Sequence, residues 1–375
     1  MAKILILGGG FGGVVAAEHL AKKLDDEHQI TLVSRSRQFV FYPALVRLAF
    51  RKWEPDDVSF DLRQAMLERR VNFIEAEVAR IDPFERLIKT AHGEVDGKLS
   101  YDYLIFALGR RLATDRITGF YEHAHHLLDV NNTLKFRSAL DHFHEGRAVI
   151  GQAPGARLPV PVYETAFALS RMLKDRNERQ AVKISIVSPN APGIEFGDNE
   201  VAAAIRSSLD EEGIELLPDF AITRLTFGAA YNRLGQSIKS DLLMLVPPFE
   251  GSSAASYLGI TNRDGYVNVD TFMKVQGVER MYAVGDCVNF TGPKLAHMAV
   301  NQASVAAANL IAEINDSEPV ATYKHEIKLV IDKGSSDSLY VRKDLSVPGP
   351  AEIKQGRFWS WAKRAQKEYW QATHS

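Results

Sequence analysis

The chain opens on an apolar run, Ile4-Leu5-Ile6-Leu7, with no polar residue to turn toward water. A run of this length predicts a strand covered on both faces, as in a parallel sheet flanked by helices. Glycines at 8, 9, 10, 12 and 13 follow, and 14–20 is then apolar on one helical face. Residues 29–33 and 182–187 read as further strands, and 61–70 as a helix. A strand over 71–75 continues past a break through 77–81, and 87–90 with 94–98 reads as a hairpin laid over the sheet. Residues 101–109, Tyr-Asp-Tyr-Leu-Ile-Phe-Ala-Leu-Gly, return as a buried strand ending in a small-residue turn. A second unit starts at 148–151; 219–246 holds more strands, with 236–239 as a surface turn. Residues 265–270 read as a strand, and 327–334 with 338–341 as a hairpin. Strands alternating with helices predict the α/β class.

The first turn carries chemistry. Gly8, Gly10 and Gly13 form G-x-G-x-x-G between a strand and a helix, the setting that a dinucleotide fingerprint requires. Gly8 allows the tight turn, Gly10 lets backbone approach a pyrophosphate, and Gly13 lets helix pack on strand. The helix N-terminus offers free N–H groups and a positive dipole end. Phe11 and Gly12 complete the loop. At the end of the second strand an acid would normally hold the ribose; Ser34 and Arg35 stand there instead. The fingerprint alone says dinucleotide without naming it.

Tyr101-Asp102-Tyr103-Leu104-Ile105-Phe106-Ala107-Leu108-Gly109 resembles the second flavin motif of the two-dinucleotide-binding-domain flavoproteins, and Met281-Tyr282-Ala283-Val284-Gly285-Asp286 resembles their third. That resemblance implies FAD, with Asp286 on its ribityl chain and Val78, Ala107 and Gly109 among the lining residues. It also implies two Rossmann-like dinucleotide-binding domains plus a C-terminal membrane-facing segment. The expected division is 1–117 and 247–315 for the FAD domain, 118–246 for the second domain, and 316–375 for the C-terminal hairpin and amphipathic helix.

Within that group the chain resembles sulfide:quinone oxidoreductases, which are related to type II NADH dehydrogenases. The likeness rests on Gly155-Ala156-Arg157-Leu158-Pro159-Val160-Pro161-Val162-Tyr163-Glu164, on Phe39-Val40-Phe41-Tyr42-Pro43, on Gly292-Pro293-Lys294 and on Gly356-Arg357-Phe358-Trp359. The family carries sulfur on a cysteine pair, but Leu158 and Leu329 occupy the aligned positions here. Leucine has no thiolate, so the ordinary sulfide route is closed. Cys287 follows the FAD-binding aspartate and reads as a small core residue. The second unit lacks its glycine fingerprint, lengthens its turn with Pro159 and Pro161, and has Ser188 where an NAD ribose would want an acid.

The helix 295–303 resembles the flavin-side helix of type II NADH dehydrogenases, with His297 in place of a glutamine. By resemblance the catalytic residues are Glu164, Lys294 and His297. Glu164 would relay protons to a quinone, His297 would be a second donor, and Lys294 would reach the flavin or a quinone oxygen. The expected activity is FAD-dependent electron transfer from NAD(P)H or another small reductant to a membrane quinone. A type II NADH:quinone dehydrogenase and a flavin-binding redox sensor are the alternatives. Interleaved aromatic and basic residues in 39–53 read as a loop packing its rings, or bordering a flat cofactor.

The tail joins three tryptophans, Trp359, Trp361 and Trp370, to a basic flank. On a helical projection Phe358, Ala362, Ala365 and Tyr369 share one face, and Arg357, Lys363, Arg364 and Lys367 supply the other. That pattern predicts a helix lying in a membrane interface, with docking on its own protein as the competitor; a homodimer contact is a further candidate. Composition adds limits. The 375 residues allow two or three domains, and a formal net charge of −2 gives no case for nucleic acid. One cysteine excludes an intramolecular disulfide and suits a reducing compartment. An N-terminus that is itself a core strand makes a signal peptide unexpected, and no apolar run nears the roughly 20 residues of a membrane span. The expected place is the cytoplasm, peripherally attached to the inner face of the cell membrane. His123, His125 and His126 share a polar turn with no carboxylate or cysteine beside them, so surface histidines are expected and no metal.

Overall fold

In the computed structural model residues 1–375 are described, apart from Asp96, Pro192, Ser335, Ser336 and Ser375 and the side chain of Ile194. The first half of the chain runs β1 (Lys3–Leu7), α1 (Phe11–Lys23), β2 (Gln29–Ser34), β3 (Asn72–Asp82), β4 (Leu87–Gly93), β5 (Lys98–Ser100), β6 (Tyr103–Phe106), β7 (Gly146–Gln152) and α2 (Val160–Asp175). There follow β8 (Val182–Val187), α3 (Asn199–Glu211), β9 (Glu215–Leu217), β10 (Leu242–Val246), β11 (Met281–Ala283) and α4 (Ala296–Ile314). The chain closes with β12 (Glu326–Asp332), β13 (Ser338–Asp344), β14 (Glu352–Gln355) and α5 (Arg357–His374).

Two sheets carry the α/β architecture. One has the order β11-β6-β1-β2-β3-β4-β5, parallel from β11 to β3 and antiparallel beyond. The other is parallel, in the order β9-β8-β7-β10. Ile4 to Leu7 are all buried, because α1 and α4 pack together over the first sheet. This explains the unbroken apolar run: after the exposed Lys3, no residue of β1 has a wet side to serve. β3 is irregular between Ala76 and Glu77, where the sequence shows its break.

The glycine turn is set by sterics. Gly8 has φ +111°, and a Cβ there would lie 2.2 Å from the Ala107 carbonyl oxygen. A Cβ on Gly13 would lie 1.8 Å from the Gly8 carbonyl oxygen, so α1 can leave β1 this tightly only without a side chain. A Cβ on Gly10 meets nothing within 4 Å. Two of the glycines serve packing, and the third keeps a space open.

Several expected elements fall elsewhere. Residues 236–239 are not a plain turn: Ser237–Lys239 is an edge strand paired with Ala229–Asn232, held by buried Ile238. Residues 265–270 form no strand, only isolated bridges from Val267 and Val269, because Asn262 and Asp270 side chains capture the neighbouring backbone N–H groups. The second arm of the 87–98 hairpin begins at Lys98, and Asp96 lies outside the described residues. The C-terminal hairpin gains a third strand, β14. His125 and His126 are not surface histidines: His126 is buried, and His125 packs 5.6 Å from Phe136. Burial lowers both of their pKa values.

The tail is the largest correction. α5 turns Ser360, Lys363, Lys367 and Trp370 toward the protein and leaves Phe358, Trp361 and Tyr369 62%, 59% and 69% exposed. Lys363 and Lys367 therefore lie on the buried face, not the solvated one, because Glu164 and the Trp53 ring meet them there. Trp370 joins the first core through Phe11 and Phe39, at 4.7 and 5.9 Å between ring centroids. Among the described residues no helix is long and apolar enough to cross a membrane.

The steric contrast between two glycines is testable. Gly13→Ala should cost about 3 kcal/mol or more in urea unfolding, by overpacking against rigid backbone. Gly10→Ala should stay within about 1 kcal/mol of the parent. Equal losses at both positions would contradict the packing described here.

Candidate functional site

The carboxyl ends of β1, β2 and β6 open onto a cavity of about 560 Å³. Of the residues expected to bind cofactor, Gly8, Gly10, Phe11, Gly12, Ser34, Arg35, Val78, Ala107, Gly109 and Asp286 line it. Gly13 and Lys294 do not. Gly13 is consumed by the packing of α1 on β1. Lys294 is buried elsewhere: its ammonium donates to the Val288 carbonyl at 2.5 Å and lies 4.6 Å over the Tyr266 ring. Burial, reinforced by Arg157, drives its pKa well below that of an ordinary lysine.

The cavity fits FAD on its own geometry. Backbone N–H groups at the start of α1 face it, and the space above Gly10 is open where a pyrophosphate must approach. Asp286 is paired with Arg110, whose guanidinium lies 4.2 Å from the Phe249 ring centre. Gln302, from the second turn of α4, accepts from the Gly285 N–H at 2.7 Å and fixes the turn that carries Asp286. Arg110 and Gln302 were not singled out in the sequence. Arg110 had one signal, its place directly after the Gly109 turn.

A second cavity, about 450 Å³ and lined mostly by apolar side chains, meets the first at Phe11 and Tyr42, which line both. Leu158 and Leu329 line the second cavity, with Phe41, Pro161, Val300 and Trp370. The two leucines at the cysteine positions are thus brought to one wall system, and they make it greasy. Cys287 is far from such a role. Its thiol donates to the Val284 carbonyl at 3.0 Å, and burial pushes its pKa up to about 12. It is a protonated core residue.

Glu164 and His297 also line this second cavity. Glu164, on the second turn of α2, is buried; its Oε1 accepts from the Asp332 N–H at 2.7 Å and from the Lys363 ammonium. Burial raises its carboxyl pKa against the pull of Lys363. His297 Nε2 lies 3.0 Å from the Glu326 carbonyl oxygen and 3.1 Å from the Lys328 amide nitrogen. Burial lowers its pKa, so its ring is neutral at neutral pH. Two of the three expected catalytic residues therefore share a wall, and Lys294 lies behind the turn that carries Asp286, in a small pocket shared with Gly285, Asp286 and Ala299.

The start of α2 offers few backbone donors. Pro159 and Pro161 remove two N–H groups, and Leu158, Val160 and Pro161 fill the approach with hydrocarbon. Arg157, also missed in the sequence, is half-buried and donates to the Gly292 carbonyl at 2.9 Å, tying this turn to the segment before α4. Among the described residues no group of three or more His, Cys, Asp or Glu side chains is placed to hold a metal ion.

Residues 2–303 match the family of pyridine nucleotide-disulphide oxidoreductases. The chain is 26% identical over 395 residues to the sulfide-quinone reductase of Aquifex aeolicus (strain VF5), covering 98% of this chain and 90% of that one. It is 23% identical over 384 residues to the type II NADH:quinone oxidoreductase of Haemophilus influenzae, covering 90% and 85%. Its fold matches the crystal structure of the Aquifex aeolicus sulfide:quinone oxidoreductase with a TM-score of 0.91 at 22% identity, over 99% of this chain and 90% of that one. It matches NDH2 from Plasmodium falciparum in complex with NADH with a TM-score of 0.78 at 16% identity, over 100% and 95%. With its α/β Rossmann-type fold and a glycine-lined cavity that fits FAD, the chain belongs to the pyridine nucleotide-disulphide oxidoreductase family and is a flavin-dependent oxidoreductase.

Proposed function

We propose that this protein passes electrons from a small reductant through FAD to a membrane quinone, in the manner of a sulfide:quinone oxidoreductase but without its sulfur-carrying cysteines. The observation that carries this reading is the junction of the two cavities at Phe11 and Tyr42. FAD, when bound, supplies the step between a two-electron donor and the acceptor. The chain supplies the rest. Leu158, Leu329, Phe41 and Trp370 offer a quinone ring an apolar place and exclude water. Reducing a quinone to a quinol takes up two protons, and Glu164 holds one at Oε1 or Oε2 within that wall. Its raised pKa keeps that proton to a higher pH than an exposed glutamate would. His297, neutral and anchored on β12, has no acidic proton of its own to give, so the second proton must come from solvent once the site is open. Asp286, Ser34 and Arg35 would hold the cofactor, with Lys294 as a buried support behind it.

The prolines at the start of α2 weigh against a nicotinamide dinucleotide bound by its phosphates there, and the paired leucines weigh against sulfide. The acceptor side is supported by α5. Its exposed Phe358, Trp361 and Tyr369, flanked by Arg357 and Arg364, suit an anionic bilayer, with about 1 kcal/mol for each basic residue near the surface. Peripheral attachment at the inner face of the cell membrane agrees with this surface and with a lone reduced cysteine.

Purified protein should be yellow, with about one FAD per chain. Gly10→Val should give colourless protein that still folds, by filling the open space above the turn; full flavin content in that variant would sink the assignment. Sulfide at micromolar concentration should not bleach the flavin near 450 nm in a saturable way, and saturable bleaching would show that another route carries sulfur. Replacing Phe358, Trp361 and Tyr369 together by serine should weaken binding to anionic liposomes about tenfold or more, with thermal stability kept. Unchanged liposome binding would assign these rings to something other than a membrane.

A further inference from the structure

α5 has its polarity the wrong way round for a helix that merely docks. Its inward face is Ser360, Lys363, Lys367, Trp370 and His374, its outward face carries the unburied rings Phe358 and Trp361, and Tyr369 sits at the edge, exposed yet touching the rim of the apolar cavity. The inward contacts are mostly ionic. The Lys363 ammonium meets Glu164, the Lys367 ammonium lies 5.1 Å over the Trp53 ring, and His374 Nδ1 lies 2.5 Å from Glu18 Oε2. Together these residues roof the apolar cavity at Leu158 and Leu329.

Such a seam is reversible by its chemistry. Water can solvate both members of an ion pair when they part, so separating Glu164 from Lys363 leaves no stranded charge. Beyond the first turn the large apolar contact is Trp370 on Phe11 and Phe39, and it is imperfect: its indole Nε1 is buried without a hydrogen-bond partner among the described residues. The helix also has a joint. Gly356, directly before it, has φ +143°, and a Cβ there would meet nothing within 4 Å. Trp359, stacked on Tyr340 at 4.0 Å, keeps the first turn on the sheet as a pivot. Beyond the pivot, Glu164 lines both the apolar cavity and a neighbouring one of about 560 Å³, which Ser360 and Arg364 help to line.

We propose that α5 is a lid on the apolar cavity, latched by Lys363 on Glu164 and by His374 on Glu18, and that an anionic bilayer opens it by taking up Phe358, Trp361 and Tyr369. This rests on the quinone reading above and deepens it, since the surface that senses the bilayer is the back of the element that closes the site. Opening exposes the cavity only where its hydrophobic acceptor is found, and it frees Glu164 from its ammonium partner as the acceptor enters. Lys363 is thereby a positioning residue, and closure in solution keeps the reduced protein from reacting with whatever diffuses past.

The test uses the full chain with FAD bound. Lys22→Cys on α1 and Ala372→Cys on α5 are both exposed sites for spin labels, while native Cys287 is buried and stays unlabelled. In solution the label-to-label distance should be short and narrow. On vesicles of phosphatidylglycerol it should lengthen, and Glu18→Gln with His374→Ala should lengthen it without vesicles. The same latch variant should raise turnover with a short-chain soluble quinone severalfold in the absence of vesicles. Binding to vesicles with an unchanged distance overturns the lid while leaving the membrane reading intact. Failure to bind vesicles overturns the membrane reading and removes the proposed opener. A latch variant whose distance and turnover both match the parent overturns the latch.

Discussion

The structure turns on one crowded contact, the ring of Phe11. It sits on the first turn of α1, where the glycine loop fixes it, and four other rings gather on it: Phe39, Phe41, Tyr42 and Trp370, at 4.7 to 5.4 Å. The loop after β2, the cofactor turn and the last helix are thus joined in one apolar knot. Aromatic pairs of this kind add about 0.5–1.5 kcal/mol each beyond their buried area. Both cavities are bounded by this knot: Phe11 and Tyr42 line the two of them, and the last helix brings Trp370 to it. Gly12 and Gly13 serve the same end, because only a side-chain-free turn brings Phe11 so near the sheet.

The sequence shows most of this framework and hides its last layer. Strands β1, β2, β6 and β8 could be read because a run buried on both faces is a local signal. The glycines could be read because their spacing is local too, and ten of the residues named for cofactor binding do line one cavity. Lys294 was misplaced because closeness in sequence to α4 says nothing about which way a long side chain turns; it turns to Val288 and Tyr266. The face of α5 was misread for a related reason. A helical projection groups residues by side, but which side goes inward depends on distant partners. Glu164 and Trp53 lie far up the chain, and they bury two lysines that any local rule leaves in water.

Buried charge is used sparingly and with purpose. The pair of Asp286 and Arg110 stands in the cofactor cavity, where a polar ligand will meet it. The pair of Glu164 and Lys363 stands in the wall of the apolar one. Neither adds much to stability, since desolvation offsets most of the attraction in such pairs. Removing one partner alone is the costly change, because it strands the other charge. These pairs therefore make better switches than struts.

That argument bears on the two leucines as well. A thiolate at 158 or 329 would be a second negative charge in a wall that already holds Glu164 with Lys328, Lys363 and Lys367, and it would compete for the Lys363 ammonium. With leucine in both places the wall has one carboxylate among the described residues, and the Lys363 ammonium is shared between it and the Val330 carbonyl at 3.2 Å. Loss of sulfur chemistry and gain of a well-defined Glu164–Lys363 pair are then two aspects of one change. A donor served by such a site must deliver its electrons without a covalent sulfur bridge, at the cofactor itself. On the apolar side Glu164 is the one carboxylate among the described lining residues, and its raised pKa suits it to carry an acceptor's proton.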